Sequence, residues 1–390
     1  MAHPAQSITP TGAHDYLAPV FAQYPLDVVR AEGVWLIARD GRRVLDLYGG
    51  HAVAALGYGH PEWTRAVAEQ AASCNFQSNA VPMDVRLRAG RRIVEFSKLP
   101  ITSVFLINSG AEANENALKM AFAVTGGRSE VVALEQSFHG RTAGAGALTW
   151  GAREKWYGFP RTPFDVKFIA RDSTAGFSQI TDRTAAVFVE PVQGVGGAFD
   201  LGREFLVALR KRCDEVGAVL VFDEVQCGTG RCGQPYAANL YGVLPDMITA
   251  AKALGNGFPV GALLMTERIA KAVKMDALGT TFGAGPMACA AIEATLDAIE
   301  NDGLLANVRR VTDYIRKECM VGPVVGYQGE GFLTGLKLKV PAKDVQNALL
   351  TQHDILTGTS GDPNVLRLLP PYILREGQVD LLVAALKKLG

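Results

Sequence analysis

The sequence predicts an α/β protein built on a largely parallel, doubly wound sheet. Short apolar runs rich in β-branched residues recur at 104–108, 131–134, 185–189, 218–222 and 247–251, and runs of this length read as strands buried on both faces. Helical stretches lie between several of them. Ala113, Ala117, Met120, Ala121 and Val124 share one helical face, and Phe205, Leu206, Leu209, Cys213 and Val216 share another; strand, helix, strand at this cadence means parallel pairing. The strands end on small or polar residues, at the sheet edge where open α/β folds place ligand-binding groups.

A chain of 390 residues is long for one core, so two domains are expected. Lys plus Arg (39) balances Asp plus Glu (39), which leaves no basic field for nucleic acid or an anionic membrane and points to a small-molecule partner. The six cysteines form no Cys-x-x-Cys pair and have no histidine at ligand spacing, so neither a disulfide framework nor a metal is expected and reduced thiols in the cytoplasm fit best. The amino terminus lacks a basic region followed by an apolar one, and no apolar run approaches membrane-spanning length, so a soluble, unexported protein is expected.

Residues 1 to about 30 carry several prolines and little periodicity, the mark of an arm that lies on something else. The segments 34–37 and 44–47 read as two strands around the Asp40-Gly41 turn. Pro61 is placed to open a helix carrying Val67, Ala68 and Ala71. His51 and His60 read as loop or packing residues and receive no catalytic role. The 104–108 strand runs through Ser109-Gly110-Ala111 straight into a helix. That is a ready anion site, because unpaired N–H groups and the dipole face a phosphate and small residues let it approach; an ordinary connection capped by Ser109 fits the same residues. Phe138-His139-Gly140-Arg141-Thr142 follows the next strand. Phe138 reads either as core or as a ring stacked on a heteroaromatic ligand, and Arg141 is a natural fork for a carboxylate. The 185–189 strand delivers Glu190-Pro191-Val192-Gln193-Gly194-Val195-Gly196-Gly197, whose glycines admit a ligand close to backbone.

The 218–222 strand delivers Asp223-Glu224-Val225-Gln226, and the 247–251 strand runs into Lys252 and a glycine-bearing turn. Asp223 and Lys252 could be a mere ion pair. They are also the two groups that hold pyridoxal phosphate, the lysine bonding its aldehyde and the aspartate keeping its ring nitrogen protonated. Beyond them, Thr280-Thr281-Phe282-Gly283 precedes a helix over about 287–301, then a helix from Asn307, strands near 324–327 and 332–338, and a final helix after Gly377. This reads as a compact α+β piece.

Taken together, Ser109-Gly110-Ala111-Glu112-Ala113-Asn114, Phe138-His139-Gly140-Arg141-Thr142, Glu190-Pro191-Val192-Gln193-Gly194, Asp223-Glu224-Val225-Gln226, the Lys252 turn and Thr280-Thr281-Phe282-Gly283 resemble the class III pyridoxal-phosphate-dependent aminotransferases, and among them the acetylornithine aminotransferases most, over nearly the whole chain. The resemblance implies a fold-type I transferase. Its large domain, with a mostly parallel seven-stranded sheet, would span residues 49–285, a smaller α+β domain 286–390, and an arm with a small-domain segment 1–48. It also implies a homodimer with its active sites at the interface. Lys252 would carry the cofactor, Asp223 would face the ring nitrogen and Gln226 the ring hydroxyl. Ser109, Gly110 and Ala111 would hold the phosphate, Thr281 would reach the phosphate of the other subunit, Phe138 would cover the ring, and Glu190 would belong to the cofactor site. Arg141 and Thr280 would bind substrate, Arg141 holding the far carboxylate, while Arg367 would hold the carboxylate next to the reacting amine. The implied reaction moves the terminal amine of N-acetylornithine or N-succinylornithine to 2-oxoglutarate in arginine biosynthesis. Alternatives are ornithine or another ω-amine as donor, an aminomutase or racemase of the same class, and a non-catalytic binding protein. One position departs from the family pattern. Val195 stands where a glutamate usually pairs with the arginine matched by Arg367, so Arg367 is expected to be open or to lean on another acid.

Overall fold

The structure, a computed structural model, describes residue 18 and residues 20–390; the arm expected at the amino terminus lies outside the described residues as far as 17. The central sheet has seven strands. From one edge to the other they are Ile101–Ile107, Gly261–Thr266, Met247–Ala251, Val219–Asp223, Thr184–Val189, Glu130–Leu134 and Asp165–Ile169. Gly261–Thr266 runs antiparallel to both of its neighbours, and the remaining pairings are parallel. Strand order reverses between Glu130–Leu134 and Thr184–Val189, which opens a crevice at the carboxyl ends of the central strands.

Four central strands, Glu130–Leu134, Thr184–Val189, Val219–Asp223 and Met247–Ala251, are buried along their whole length. Successive side chains serve opposite faces. Val131, Phe188, Val221 and Met247 pack with Ala117 and Met120 of the helix Gly110–Val124, while Val132, Val187, Leu220 and Ile248 join the core on the other side with Leu206 and Leu209 of the helix Gly202–Val216. That helix stops where Gly217 adopts φ 70°, a conformation that costs glycine nothing.

Two strands of this sheet were not legible in the sequence. Asp165–Ile169 is an edge strand with partly covered residues and no continuous apolar run. Gly261–Thr266 opens on glycine and continues with alanine, leucines and methionine, which favour helix; it is a strand because it fills the slot between Ile101–Ile107 and Met247–Ala251. The helix Ala342–His353 and the strand Val365–Leu368 also emerge only from packing.

Two smaller sheets frame the crevice. Val28–Glu32, Trp35–Ala38 and Arg43–Asp46 form an antiparallel set to which Ile355–Leu356 adds in parallel, so the two ends of the chain share a sheet. Val324–Glu330, Leu333–Leu338 and Val365–Leu368 form the other, and its last strand carries Arg367.

Gly261 pairs with Ile107, and a Cβ placed on it would run into the backbone of Ser109, the turn that leads into the helix Gly110–Val124. Gly261→Ala is therefore expected to destabilise the protein by about 1–3 kcal/mol, the range for a group forced into a packed interior. Urea denaturation measures this. An unchanged midpoint would mean that the Ser109 turn yields without cost.

Candidate active site

The carboxyl ends of the central strands open on a cavity of about 400 Å3. Its walls include Ser109, Gly110, Ala111, Phe138, Arg141, Glu190, Asp223, Gln226 and Lys252, so these expected site residues are brought together from five different strand ends. Thr280, Thr281 and Arg367 lie outside that wall. Thr280 Oγ1 accepts from the Gly283 N–H at 3.0 Å and from Asn108 Nδ2 at 3.3 Å, which ties its loop to a residue of the cavity. Thr281 is exposed beside Phe282, itself 67% exposed.

At one end the cavity meets the amino terminus of the helix Gly110–Val124. Ser109 is its N-cap, its hydroxyl accepting from the Glu112 N–H at 3.2 Å, and Glu112 turns back to accept from the Asn108 N–H at 2.6 Å. Both side chains are thus spent on the turn, and the first-turn N–H groups of Gly110 and Ala111 remain for a ligand. A Cβ on Gly110 would lie 2.8 Å from the Val225 methyls. The cradle is lined by backbone because a side chain does not fit.

Deeper in, Asp223 is 3% exposed. Its Oδ2 accepts from Asn114 Nδ2 at 2.7 Å and from His139 Nδ1 at 2.7 Å, and its Oδ1 accepts from the Val225 N–H at 3.1 Å. Asn114 is held in turn by Thr249, whose hydroxyl donates to Asn114 Oδ1 at 2.8 Å. Among the described residues no Lys or Arg side chain comes within ion-pair distance of Asp223, whose one ion-pair contact is His139. A buried carboxylate with so little fixed cation fits a ligand that brings its own positive charge, as a protonated pyridine does. Asn114, His139 and Thr249 were not singled out as functional from sequence, although the first two lie inside motifs that were. A polar residue on a helix or after an aromatic has no periodic signal that says where it points.

Glu190 accepts from the Phe138 N–H at 2.8 Å and the Gly194 N–H at 3.1 Å, and so positions both Phe138 and the glycine loop. Burial, chiefly, raises its carboxyl to about 7, with Asp223 pushing the same way and His139 opposing. Glu224 faces away from the cavity. It caps Ala237 and Ala238, and burial raises it to about 8. Gln226 lines the cavity with a buried side-chain oxygen that has no partner in the structure, a polar atom waiting for a ligand.

Lys252 follows the strand Met247–Ala251 with φ 47°, a left-handed conformation that costs a side-chain-bearing residue about 1–3 kcal/mol and concentrates at functional sites. Burial holds its amine below the ordinary lysine range; Asp223 and Glu190 pull it back up, and Arg367 pushes it further down. Its amine makes no ion pair among the described residues. An amine with a lowered pKa is a better nucleophile and proton carrier at neutral pH.

Two arginines complete the site. Arg141 is exposed at the cavity with its guanidinium 4.5 Å from the centre of the Trp156 ring, and it too has no carboxylate partner among the described residues. Arg367 is 6% exposed. It donates from Nε to Thr359 O at 2.7 Å, from Nη1 to Gly194 O at 3.1 Å and from Nη2 to Tyr48 Oη at 3.1 Å. The expectation that another acid replaces the glutamate missing at Val195 is not met among the described residues. Carbonyls and a hydroxyl hold the guanidinium instead.

The sequence pattern of the aminotransferase class-III family matches residues 16–389. A mitochondrial acetylornithine aminotransferase of Alnus glutinosa is 40% identical over 385 residues, covering 93% of this chain and 83% of that protein. A succinylornithine transaminase/acetylornithine aminotransferase of Pseudomonas aeruginosa is 36% identical, covering 94% of this chain and 92% of its own. Among solved structures, an ornithine aminotransferase of Toxoplasma gondii superimposes with a TM-score of 0.89 at 25% identity, over 96% of this chain and 92% of that one. With the anion cradle, the cation-seeking Asp223 and the poised Lys252 meeting in one crevice, and with relatives matching along almost the entire length, the chain belongs to the class III aminotransferases and its cofactor is pyridoxal phosphate.

Proposed function

We propose that this aminotransferase moves the terminal amine of N-acetylornithine or N-succinylornithine to 2-oxoglutarate, yielding the N-acyl glutamate semialdehyde and glutamate in arginine biosynthesis. The observation that carries this reading is the pair of arginines, Arg141 in the cavity wall and buried Arg367, whose charge acts on Lys252, neither of them paired with a carboxylate among the described residues. Two such forks suit two carboxylate-bearing substrates that take turns in one site, which favours transamination over an aminomutase or racemase. The acetylornithine and succinylornithine enzymes among the relatives support the choice of donor.

Pyridoxal phosphate, when bound, supplies an aldehyde for amine exchange and a ring that takes up an electron pair. The N–H groups of Gly110 and Ala111 would hold its phosphate, Phe138 would cover its ring, Gln226 would meet the ring hydroxyl, and Asp223, oriented by Asn114 and His139, would keep the ring nitrogen charged. Lys252, with its amine held below the ordinary lysine range, would anchor the cofactor aldehyde and is the group placed to carry a proton at the reacting carbon. Arg141 takes the far carboxylate and Arg367 the one next to the amine.

The working unit in this reading is a homodimer. Exposed Phe282, next in sequence to exposed Thr281 and with Phe76 against it at 5.4 Å, borders an apolar hollow that shares Asn108, Phe258 and Pro259 with the active-site cavity, and a second copy covering that hollow would place Thr281 toward the neighbouring subunit's phosphate. Six unpaired thiols support a cytoplasmic setting.

Single half-reactions, followed by cofactor absorbance with N-acetylornithine, N-succinylornithine, ornithine and glutamate in turn, test the assignment. Higher specificity for ornithine than for either acylated donor would overturn it. Lys252→Ala is expected to abolish turnover while phosphate contacts retain some cofactor; steady-state transamination near the wild-type rate would remove Lys252 from its role. Asp223→Ala should leave a folded protein whose chemical step is crippled, because a neutral pyridine is a poor electron acceptor. Loss of stability with an unchanged rate would instead make Asp223 a structural cap. Val195→Glu, next to the Gly194 carbonyl that Arg367 already touches, should raise the KM for glutamate and 2-oxoglutarate roughly tenfold by masking the guanidinium. An unchanged ratio of the two half-reaction specificities would show that position 195 does not reach it.

A further inference from the structure

Arg367 is met by an unusual piece of chain. Gly49, Gly50, His51 and Ala52 have φ of 54°, 58°, 65° and 67°, one complete left-handed turn. Only glycine adopts this conformation freely, so His51 and Ala52 are strained there and packing must hold them. The packing is visible. Buried Asp46 accepts from the N–H groups of Tyr48 at 2.8 Å and Gly49 at 2.9 Å, and buried Arg231 donates to Ala52 O at 3.2 Å. The turn places the His51 ring 4.7 Å from that of Tyr48, with Nδ1 at 2.8 Å from Tyr48 Oη. Tyr48 Oη also accepts from Arg367 Nη2, and with His51 neutral and unprotonated at Nδ1 its proton is donated to that nitrogen. The result is a chain of three side chains, Arg367 to Tyr48 to His51.

We propose that Tyr48 and His51 replace the missing carboxylate as the partner of Arg367, holding its guanidinium open to the α-carboxylate of glutamate and 2-oxoglutarate and coupling that binding to a proton on His51. The proposal rests on the reading of Arg367 as the α-carboxylate anchor. Three of the five guanidinium N–H groups are engaged, which leaves one on each terminal nitrogen, the two that a bidentate carboxylate needs. A neutral hydroxyl fixes the group without cancelling its charge, and no acid has to swing aside when the substrate changes.

The proton coupling follows from what faces the imidazole. Besides Tyr48 on its own turn, Arg367 from the strand Val365–Leu368 and Lys252 from the end of Met247–Ala251 act on His51. Burial, first, and then these two cations hold it below the ordinary histidine range. Asp46 and Tyr24 act on Tyr48. A carboxylate bound to Arg367 cancels one of those positive charges, so the His51 pKa rises toward its ordinary value of about 6.5 and binding takes up protons. Protonated His51 donates from Nδ1 to Tyr48 Oη, and the Tyr48 hydroxyl, keeping its proton, is free to turn its own hydrogen bond toward the bound carboxylate. Affinity for a dicarboxylate should therefore increase as pH falls through about 6.5, the gain being complete only below the lowered value of unliganded His51.

The test is calorimetric titration of the holoenzyme with glutarate, an unreactive dicarboxylate, between about pH 5 and 8 in buffers of different ionisation enthalpy. It is run alongside glutamate half-reaction kinetics on wild type, Tyr48→Phe, His51→Asn and Arg367→Gln. Asparagine tolerates the left-handed turn and keeps an acceptor for Tyr48 but cannot titrate. Tyr48→Phe should weaken glutarate and raise the KM for glutamate about tenfold, with kcat falling far less. His51→Asn should lose the gain in affinity at low pH and take up fewer protons than wild type, uptake common to both cancelling in the difference. Wild-type binding by Tyr48→Phe, or an unaltered pH profile and proton uptake in His51→Asn, overturns the proposal. If Arg367→Gln binds glutarate as wild type does, it is the reading of Arg367 that fails.

Discussion

The site is organised around a buried negative charge that lacks a strong cation of its own. Asp223 leaves water at the end of a fully buried strand and gains two side-chain donors and a backbone N–H, but no lysine or arginine within ion-pair distance among the described residues. Hydrogen bonds to the ionised form offset part of the desolvation cost. What is left fits a ligand carrying a positive ring nitrogen. Asn114, His139 and Thr249 can be understood only through that carboxylate, since each is buried and each is tied into the same network.

The positive groups obey the converse rule. Lys252 sits in a strained left-handed conformation, its amine discharged more readily than in water, and Arg367 is almost fully buried with carbonyls and a hydroxyl as its only hydrogen-bond partners among the described residues. Buried cations without a carboxylate partner attract carboxylates strongly, because the surrounding dielectric is low. The folded protein therefore stores electrostatic work that substrate binding releases. Backbone strain at Lys252 and in the 49–52 turn is a second cost of the same kind, sustained by the core beneath it.

Much of this was legible in the residues. Buried parallel strands need continuous apolar runs, so Thr184–Val189, Val219–Asp223 and Met247–Ala251 announced themselves, and their ends carried Glu190, Asp223 and Lys252. Ser109-Gly110-Ala111 was readable because a helix start demands a cap and small residues. The partners of Asp223 were not. Asn114 lies 109 positions from Asp223 and His139 lies 84, and no local rule of propensity or spacing connects residues so far apart.

By itself, then, the sequence determined the α/β class, the buried strands and the chemistry waiting at their ends, because those depend on periodicity and residue type within a few positions. Tertiary structure alone decided that Gly261–Thr266 is an antiparallel strand, since two neighbouring strands impose a shape that its leucines and methionine do not prefer. It also decided the fate of Arg367. The valine at 195 said only that a glutamate was missing, whereas the arginine's actual partners come from Thr359, Gly194 and Tyr48. His51, which looked like an ordinary loop residue, joins them through Tyr48 because Asp46 and Arg231 hold its turn in a left-handed conformation that no sequence pattern displays. Side-chain partnership across hundreds of residues is set by how the sheets close on one another, and that closure is a property of the whole core.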